Sequence, residues 1–171
     1  MRRLAISVSV ASGLNDDSVA KLCRLVTDDA DGAVRAMAAE ALGGAGGRYE
    51  SVLTLGRDDD DPRVVETVAT AYGELRDASA VPWLIELAST GGDRAAREAA
   101  VAALGAIGDD AALSTLLELV ASSPPQVRRR AVVALTVFED PAIEPAIQAA
   151  ARDRNPSVRE AAEMVVGRQP T

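Results

Sequence analysis

The stretch 96–109, Ala-Arg-Glu-Ala-Ala-Val-Ala-Ala-Leu-Gly-Ala-Ile-Gly-Asp, returns in looser form from Val34, Val64, Val127 and Val158, and once more from Met1. The copies start 33, 30, 32, 31 and 31 residues apart. A period that regular confines the chain to a repeat architecture, because one such unit cannot bury its apolar face alone and must stack on its neighbours. Each unit has room for two short helices and two tight turns, with no long loop. A first kind of helix, A, is expected over 16–27, 48–56, 78–89, 111–121 and 142–152. A second kind, B, carries the motif and is expected over 2–12, 32–44, 62–75, 94–106, 125–138 and 156–167.

The punctuation agrees with this division. Asp61-Pro62 and Asn155-Pro156 set a capping side chain before a proline at the first helical position. Asp93 and Ser123-Pro124 are expected to start their own B helices in the same way. Gly43, Gly73, Gly105 and Gly167 fall at the tenth motif position, where a glycine can close a helix end. Pro82 and Pro145 lie in the first turn of A helices, where a missing N–H is tolerated. On a helix, motif positions one, five, eight and nine share a face. They read Val34, Ala38, Ala41, Leu42; then Val64, Val68, Ala71, Tyr72; then Val127, Ala131, Ala134, Leu135. The small residues among them let neighbouring backbones approach closely.

Nearly half the chain is apolar but only 2% is aromatic, which suits closely spaced helices better than a sheet sandwich. The net charge of −8, from 18 basic and 26 acidic residues, opposes attachment to phosphate backbones and anionic membranes. Cys23 is the single cysteine and histidine is absent. An intrachain disulfide is therefore impossible, as are His-dependent triads and His-ligated zinc. The cysteine usage suits a reducing cytoplasm, and Cys23 reads as a buried small apolar residue. The opening Met1-Arg-Arg-Leu-Ala-Ile stretch fits the repeat register better than a cleaved leader, and no segment has the length of a membrane span. The acidic run Asp58–Asp61 lacks the spaced ligands of a calcium loop and reads as a solvated turn that supplies the next cap.

Asp-x-x-x-Val-Arg-x-x-Ala-x-x-Ala-Leu-Gly, followed by Gly-Asp-x-x-Ala-(Val/Leu)-x-x-Leu, resembles the short HEAT-like repeat of the phycobilisome-lyase type. Residues 93–120 fit best, through Asp93, Arg97, Ala100, Leu104, Gly105, Gly108-Asp109, Leu113 and Leu116; 31–43, 61–73, 123–135 and 155–167 fit less fully. The resemblance implies an all-α fold, a right-handed α-α superhelix. It would hold about five helix pairs (14–44, 45–75, 76–107, 108–138, 139–168) after a half-repeat at 1–13, in a single domain spanning 1–171. It also implies A helices on the convex side and B helices on the concave side. Such repeats serve as adaptors and lyase subunits, so the resemblance fixes fold and leaves activity open.

The second motif position carries Arg35, Arg97, Arg128 and Arg159, with Arg2 in the half-repeat and Val65 as the exception. A planar guanidinium at a recurring fold position suits a structural ladder, with each arginine bridging Asp31, Asp93 or their neighbours. Partner contact is expected instead at positions three and seven, on the outward edge of the B helices: Glu66, Thr70, Glu98, Ala102, Arg129, Val133, Glu160 and Met164. The strip is acidic toward the N-terminal side, and Val132, Val133 and Met164 make it partly apolar toward the C-terminal side. Arg128-Arg129-Arg130 spreads around the helix and forms no flat basic patch. No lysine-bearing phosphate loop occurs, and no catalytic residue, metal or cofactor is indicated. The expected function is a non-catalytic scaffold that binds a protein or peptide on its concave B-helix face. The alternative is an accessory subunit of an enzyme complex, such as a bilin lyase; nucleic-acid binding is disfavoured by the charge. The open helix 2–12 offers a second surface, for self-association.

Overall fold

The computed structural model describes residues 15–44 and 53–167, and every regular element among them is helical. The chain divides into two compact units, one ending at Asp77 and one beginning at Ala78.

In the first unit, α1 (Asp16–Asp28) starts where the Asn15 side chain accepts the Ser18 N–H, with Asp16 and Asp17 at the electropositive end. Val19, Leu22 and Val26 form its buried stripe. Next, α2 (Gly32–Gly43) is capped by Asp31, and α3 (Pro62–Leu75) by Asp61 with Pro62 at its first position. A short 3-10 turn, Thr54–Gly56, precedes α3. Both α1 and α3 pack against α2. Tyr72 is fully buried where three other copies carry leucine, as Leu42, Leu104 and Leu135. Its hydroxyl lies 3.1 Å from Thr54 Oγ1 and accepts from Arg57 Nε at 3.2 Å, while the Arg57 guanidinium stands 4.6 Å over the ring. Satisfying that hydroxyl is what makes a buried tyrosine tolerable here, and it ties the 3-10 turn to α3.

In the second unit, a 3-10 turn at Ala78–Ala80 leads into α4 (Val81–Thr90), followed by α5 (Arg94–Ile107). A second such turn, Asp110–Ala112, leads into α6 (Leu113–Ser122), and α7 (Pro125–Ala134) runs into a 3-10 end at Leu135–Val137. The unit ends with α8 (Ile143–Ala150) and α9 (Pro156–Val166). Each A helix packs on the B helix after it: α4 on α5, α6 on α7, α8 on α9. A helices also touch A helices (α4 and α6, α6 and α8), and B helices touch B helices (α5 and α7, α7 and α9). Buried leucines such as Leu84, Leu104, Leu116 and Leu135 fill the space between the layers, each contributing roughly 1.5–3 kcal/mol.

The expected helices are present within one to four residues, their ends often tightening to 3-10 turns. The half-repeat 2–12, and the residues of the helix expected at 48–56 that precede Leu53, lie outside the described residues. Three expectations need correction. Ser123 does not cap α7: the cap is Pro124, which makes no side-chain bond, and Ser123 is buried. Cys23 is half-buried rather than buried. Position six is also core, because Ala39, Ala69, Val101 and Val132 are all fully enclosed; the apolar face is wider than positions one, five, eight and nine. Ala41, at position eight, is only half-buried.

Gly167 caps α9 as expected, but two of the tenth-position glycines, Gly43 and Gly105, have a further task. Gly105 lies inside α5, and the turn that follows is closed by Gly108 at φ 71°. A Cβ on Gly105 would stand 2.8 Å from both Cα and Cβ of Ala134, and one on Gly43 would stand 2.6 Å from Ala71 Cβ. These glycines let successive B helices touch backbone to side chain. Gly105→Val should therefore destabilise by about 2–3 kcal/mol through overpacking. Gly92→Ala, with nothing within 4 Å of the added carbon, should change stability by less than about 0.5 kcal/mol. Urea unfolding of the two variants checks the contrast.

Candidate partner-binding site

The position-two arginines act between repeats. Arg35 Nε and Nη2 donate to the two carboxylate oxygens of Asp59, each at 2.7 Å, and its Nη1 donates to the Asp29 carbonyl at 2.7 Å. Arg128 repeats the arrangement on Asp153, at 2.8 and 2.6 Å, with Nη1 on the Ser123 carbonyl at 2.6 Å. Each guanidinium thus clamps its own A-to-B turn to the carboxylate that opens the next B helix. That carboxylate is itself fixed: Asp59 Oδ1 accepts the Asp61 N–H at 2.8 Å, and Asp153 Oδ1 the Asn155 N–H at 2.7 Å. Both pairs are largely shielded from solvent, Arg128 having only 6% of its side chain exposed.

The expected ladder partners are corrected by this geometry. Asp31 and Asp93 cap their own helices, through the Ala33 N–H and through the Ala95 and Ala96 N–H groups. The carboxylate that takes the guanidinium stands two residues before the cap. Where Arg97 is followed by Ser122 instead of an aspartate, its Nε turns to the Ala88 carbonyl at 2.9 Å. Val65 lacks the arginine and Gly91 lacks the carboxylate, so both halves are missing from that register together. Arg159 donates Nη1 to the carbonyls of Asp153 and Arg154. Arg2 lies outside the described residues. The aspartates were legible as an Asp-x-(Asp/Asn) signature at 29–31, 59–61 and 153–155, which the search for caps alone passes over. The acidic run is explained by the same contacts: Asp59 serves Arg35, and Asp61 serves the α3 cap and Arg63.

The outward edge of the B helices is organised differently in the two units. In the first, Glu40 of α2 and Arg63, Glu66, Thr67, Thr70, Ala71 and Glu74 of α3 line a groove of 270 Å³. Arg63 is held back on Asp61 at 2.6 Å, and the Thr67 and Thr70 hydroxyls donate to carbonyls within α3. Among the described residues, no basic nitrogen lies within 4 Å of Glu40, Glu66 or Glu74. The groove therefore presents uncompensated carboxylates around a small-residue floor. In the second unit, Glu98 is bracketed by Arg94 at 3.5 Å and Arg130 at 3.9 Å. Ala102, Arg129 and Glu160 are exposed, and Val133 and Met164 keep 48% and 54% of their surface. Val132 belongs to the core, not to this ridge; Val137, 56% exposed and one turn beyond Val133, takes its place. Among the described residues no group of acidic, cysteine or histidine side chains is arranged to hold a metal. Among the described residues no helix is long and apolar enough to cross a membrane.

Helix pairs stacked A on A and B on B through a recurring inter-repeat clamp define the family, and the match to known families agrees. A model described as HEAT repeats matches residues 49–135 and 115–170. The chain is a HEAT-repeat protein. Its fold is similar to that in the complex of CpcE and CpcF of phycocyanin lyase from a Nostoc species, at 20% identity and a TM-score of 0.74, covering 89% of this chain and 99% of that one. It is also similar to a designed armadillo repeat protein (20% identity, TM-score 0.65, 97% and 90% covered). Another designed armadillo protein, in complex with a (KR)4 peptide, matches at 20% identity and a TM-score of 0.63, with 93% and 88% covered. A comparison with curated protein sequences finds no match. At these identities the likeness shows the fold, that of HEAT and armadillo solenoids.

Arg35 holds the Asp59 carboxyl below its ordinary value, against the opposing effect of burial and with help from the Asp61 N–H. Arg128 does the same to Asp153. A carboxyl depressed in the folded state adds stability above its unfolded pKa of about 3.9, and that stability is lost as pH falls through the folded value. Asp59→Asn should therefore flatten the acid limb of the stability curve below about pH 4. It should also destabilise at neutral pH, where Arg35 loses its charged partner. Chemical denaturation between pH 2 and 7 measures both, and an unchanged acid limb would refute the assignment.

Proposed function

We propose that this HEAT-repeat protein is a non-catalytic scaffold that binds a protein or peptide along the concave face of its B helices. The groove between α2 and α3 carries this reading, because it combines concavity with carboxylates that have no basic partner among the described residues. Desolvating such groups is favourable only against a cation, so the chemistry that complements the groove is a lysine or arginine side chain of an extended segment. Glu66 and Thr70 belong to it, joined by Glu40 and Glu74. In the second unit, Ala102, Val133 and Met164 offer apolar contact, and Glu98, Arg129 and Glu160 edge it with charge. A designed relative of this fold carries a (KR)4 peptide, which supports a peptide of that charge as the probe.

The test is an anisotropy titration with a fluorescein-labelled (KR)4 peptide. Binding by the wild type, weakened at least about tenfold in Glu40→Lys/Glu66→Lys with the melting temperature nearly unchanged, is the expected outcome; tenfold corresponds to about 1.4 kcal/mol. Equal binding by both proteins would remove the groove from the site. A second reading, an accessory subunit of a chromophore-attaching lyase, is favoured by the likeness to the phycocyanin lyase complex. It predicts tetrapyrrole absorbance in protein purified with its native partners, which the scaffold reading does not.

A further inference from the structure

Positions two, six and ten of a B helix form one row, each a turn from the next, and on α2, α5 and α7 that row faces the following repeat within the same unit. Position two reaches it through the clamps Arg35 to Asp59 and Arg128 to Asp153. Position ten reaches it through the contacts of Gly43 with Ala71 and of Gly105 with Ala134. Position six between them is buried in four successive copies, as Ala39, Ala69, Val101 and Val132. On α9 the same row reads Arg159, Glu163 and Gly167, with Val166 beside it at position nine.

Arg159 and Glu163 of this row, and Val166 beside it, depart from the rule of the earlier repeats. Arg159 keeps Nη1 on the Asp153 carbonyl at 2.8 Å, as Arg35 keeps its Nη1 on that of Asp29. Its Nε and Nη2, the pair that Arg35 and Arg128 commit to a carboxylate, have no partner among the described residues. Glu163 is exposed and likewise unpaired, and Val166 is 49% exposed where Leu42, Tyr72, Leu104 and Leu135 are enclosed. The guanidinium is thus oriented with an open two-pronged fork, and a free carboxylate stands one turn away on the same face.

We infer that this face of α9 pairs with the same face of a second copy of the chain, in an antiparallel, twofold arrangement. The charge order is self-complementary: the fork of Arg159 in one copy receives Glu163 of the other, and the reverse, giving two bidentate pairs. The same register sets Val166 against Pro156, an exposed apolar ring at the start of the partner helix. A single helix pair buries a small interface, so the dimer is weak and concentration-dependent.

Sedimentation equilibrium of the 171-residue chain from about 1 µM to about 1 mM covers the range of such weak interfaces. The expected result is a reversible monomer–dimer equilibrium that Glu163→Arg weakens at least tenfold, by placing like charges across the axis. Glu163 makes no side-chain bond, so this variant should keep the wild-type melting temperature. Arg159→Glu/Glu163→Arg exchanges the charges and should restore the dimer, while Val166→Glu should weaken it without touching either charged group. A wild-type monomer at the highest concentration would overturn the inference. So would a dimer that Glu163→Arg leaves intact.

Discussion

The bidentate bond between a B-helix arginine and an aspartate two residues before the next B-helix cap gives direction to the packing at two junctions, Arg35 to Asp59 and Arg128 to Asp153. Apolar burial holds the helices together but is non-directional, and a core of alanine, valine and leucine would tolerate sliding. The clamp supplies direction. A planar fork accepts one carboxylate in one orientation, and the carboxylate is already fixed by the N–H two residues on. The third donor of the arginine closes on the preceding turn, so three segments meet at one side chain. At Gly43 and Gly105 the glycine at position ten adds to the register by letting the next helix bring an alanine onto the backbone.

Much of this was legible in the sequence. The motif period set the helix pairs, and asparagine or aspartate before proline set two B-helix starts. The row of arginines at position two was readable as structural. Its partners were not, because pairing between repeats is a relation between residues some two dozen positions apart, and a single-copy motif contains only one half of it. The aspartates at 59 and 153 sit outside the helical pattern, in turns where acidic residues are ordinary. The task of Gly43 and Gly105 was missed for a related reason: a glycine near a helix end serves a turn in most helices, as Gly167 does, and only the neighbouring helix reveals close approach. Position six was missed because the buried face of each B helix is wider than the stripe of positions one, five, eight and nine.

The candidate binding face was legible in outline and less so in detail. Positions three and seven do point outward, as helical geometry requires. Which of them gather into a concavity depends on the approach of α2 to α3, which brings Glu40 and Glu74 beside Glu66 and Thr70. The contrast within the chain is informative. Arginines on the structural row are engaged wherever a following carboxylate exists, whereas among the described residues the groove carboxylates have no cation within 4 Å. Charges engaged in packing and charges on the outward edge are thereby separated onto different faces of the same helix.

The strength of the inter-repeat bond is measured most directly by a double-mutant cycle on Arg128 and Asp153, with Arg128→Ala, Asp153→Ala and the double variant unfolded in urea at neutral pH. A coupling of about 2–3 kcal/mol is expected for a shielded bidentate pair. A coupling below about 0.5 kcal/mol would contradict a stack held in register by these clamps.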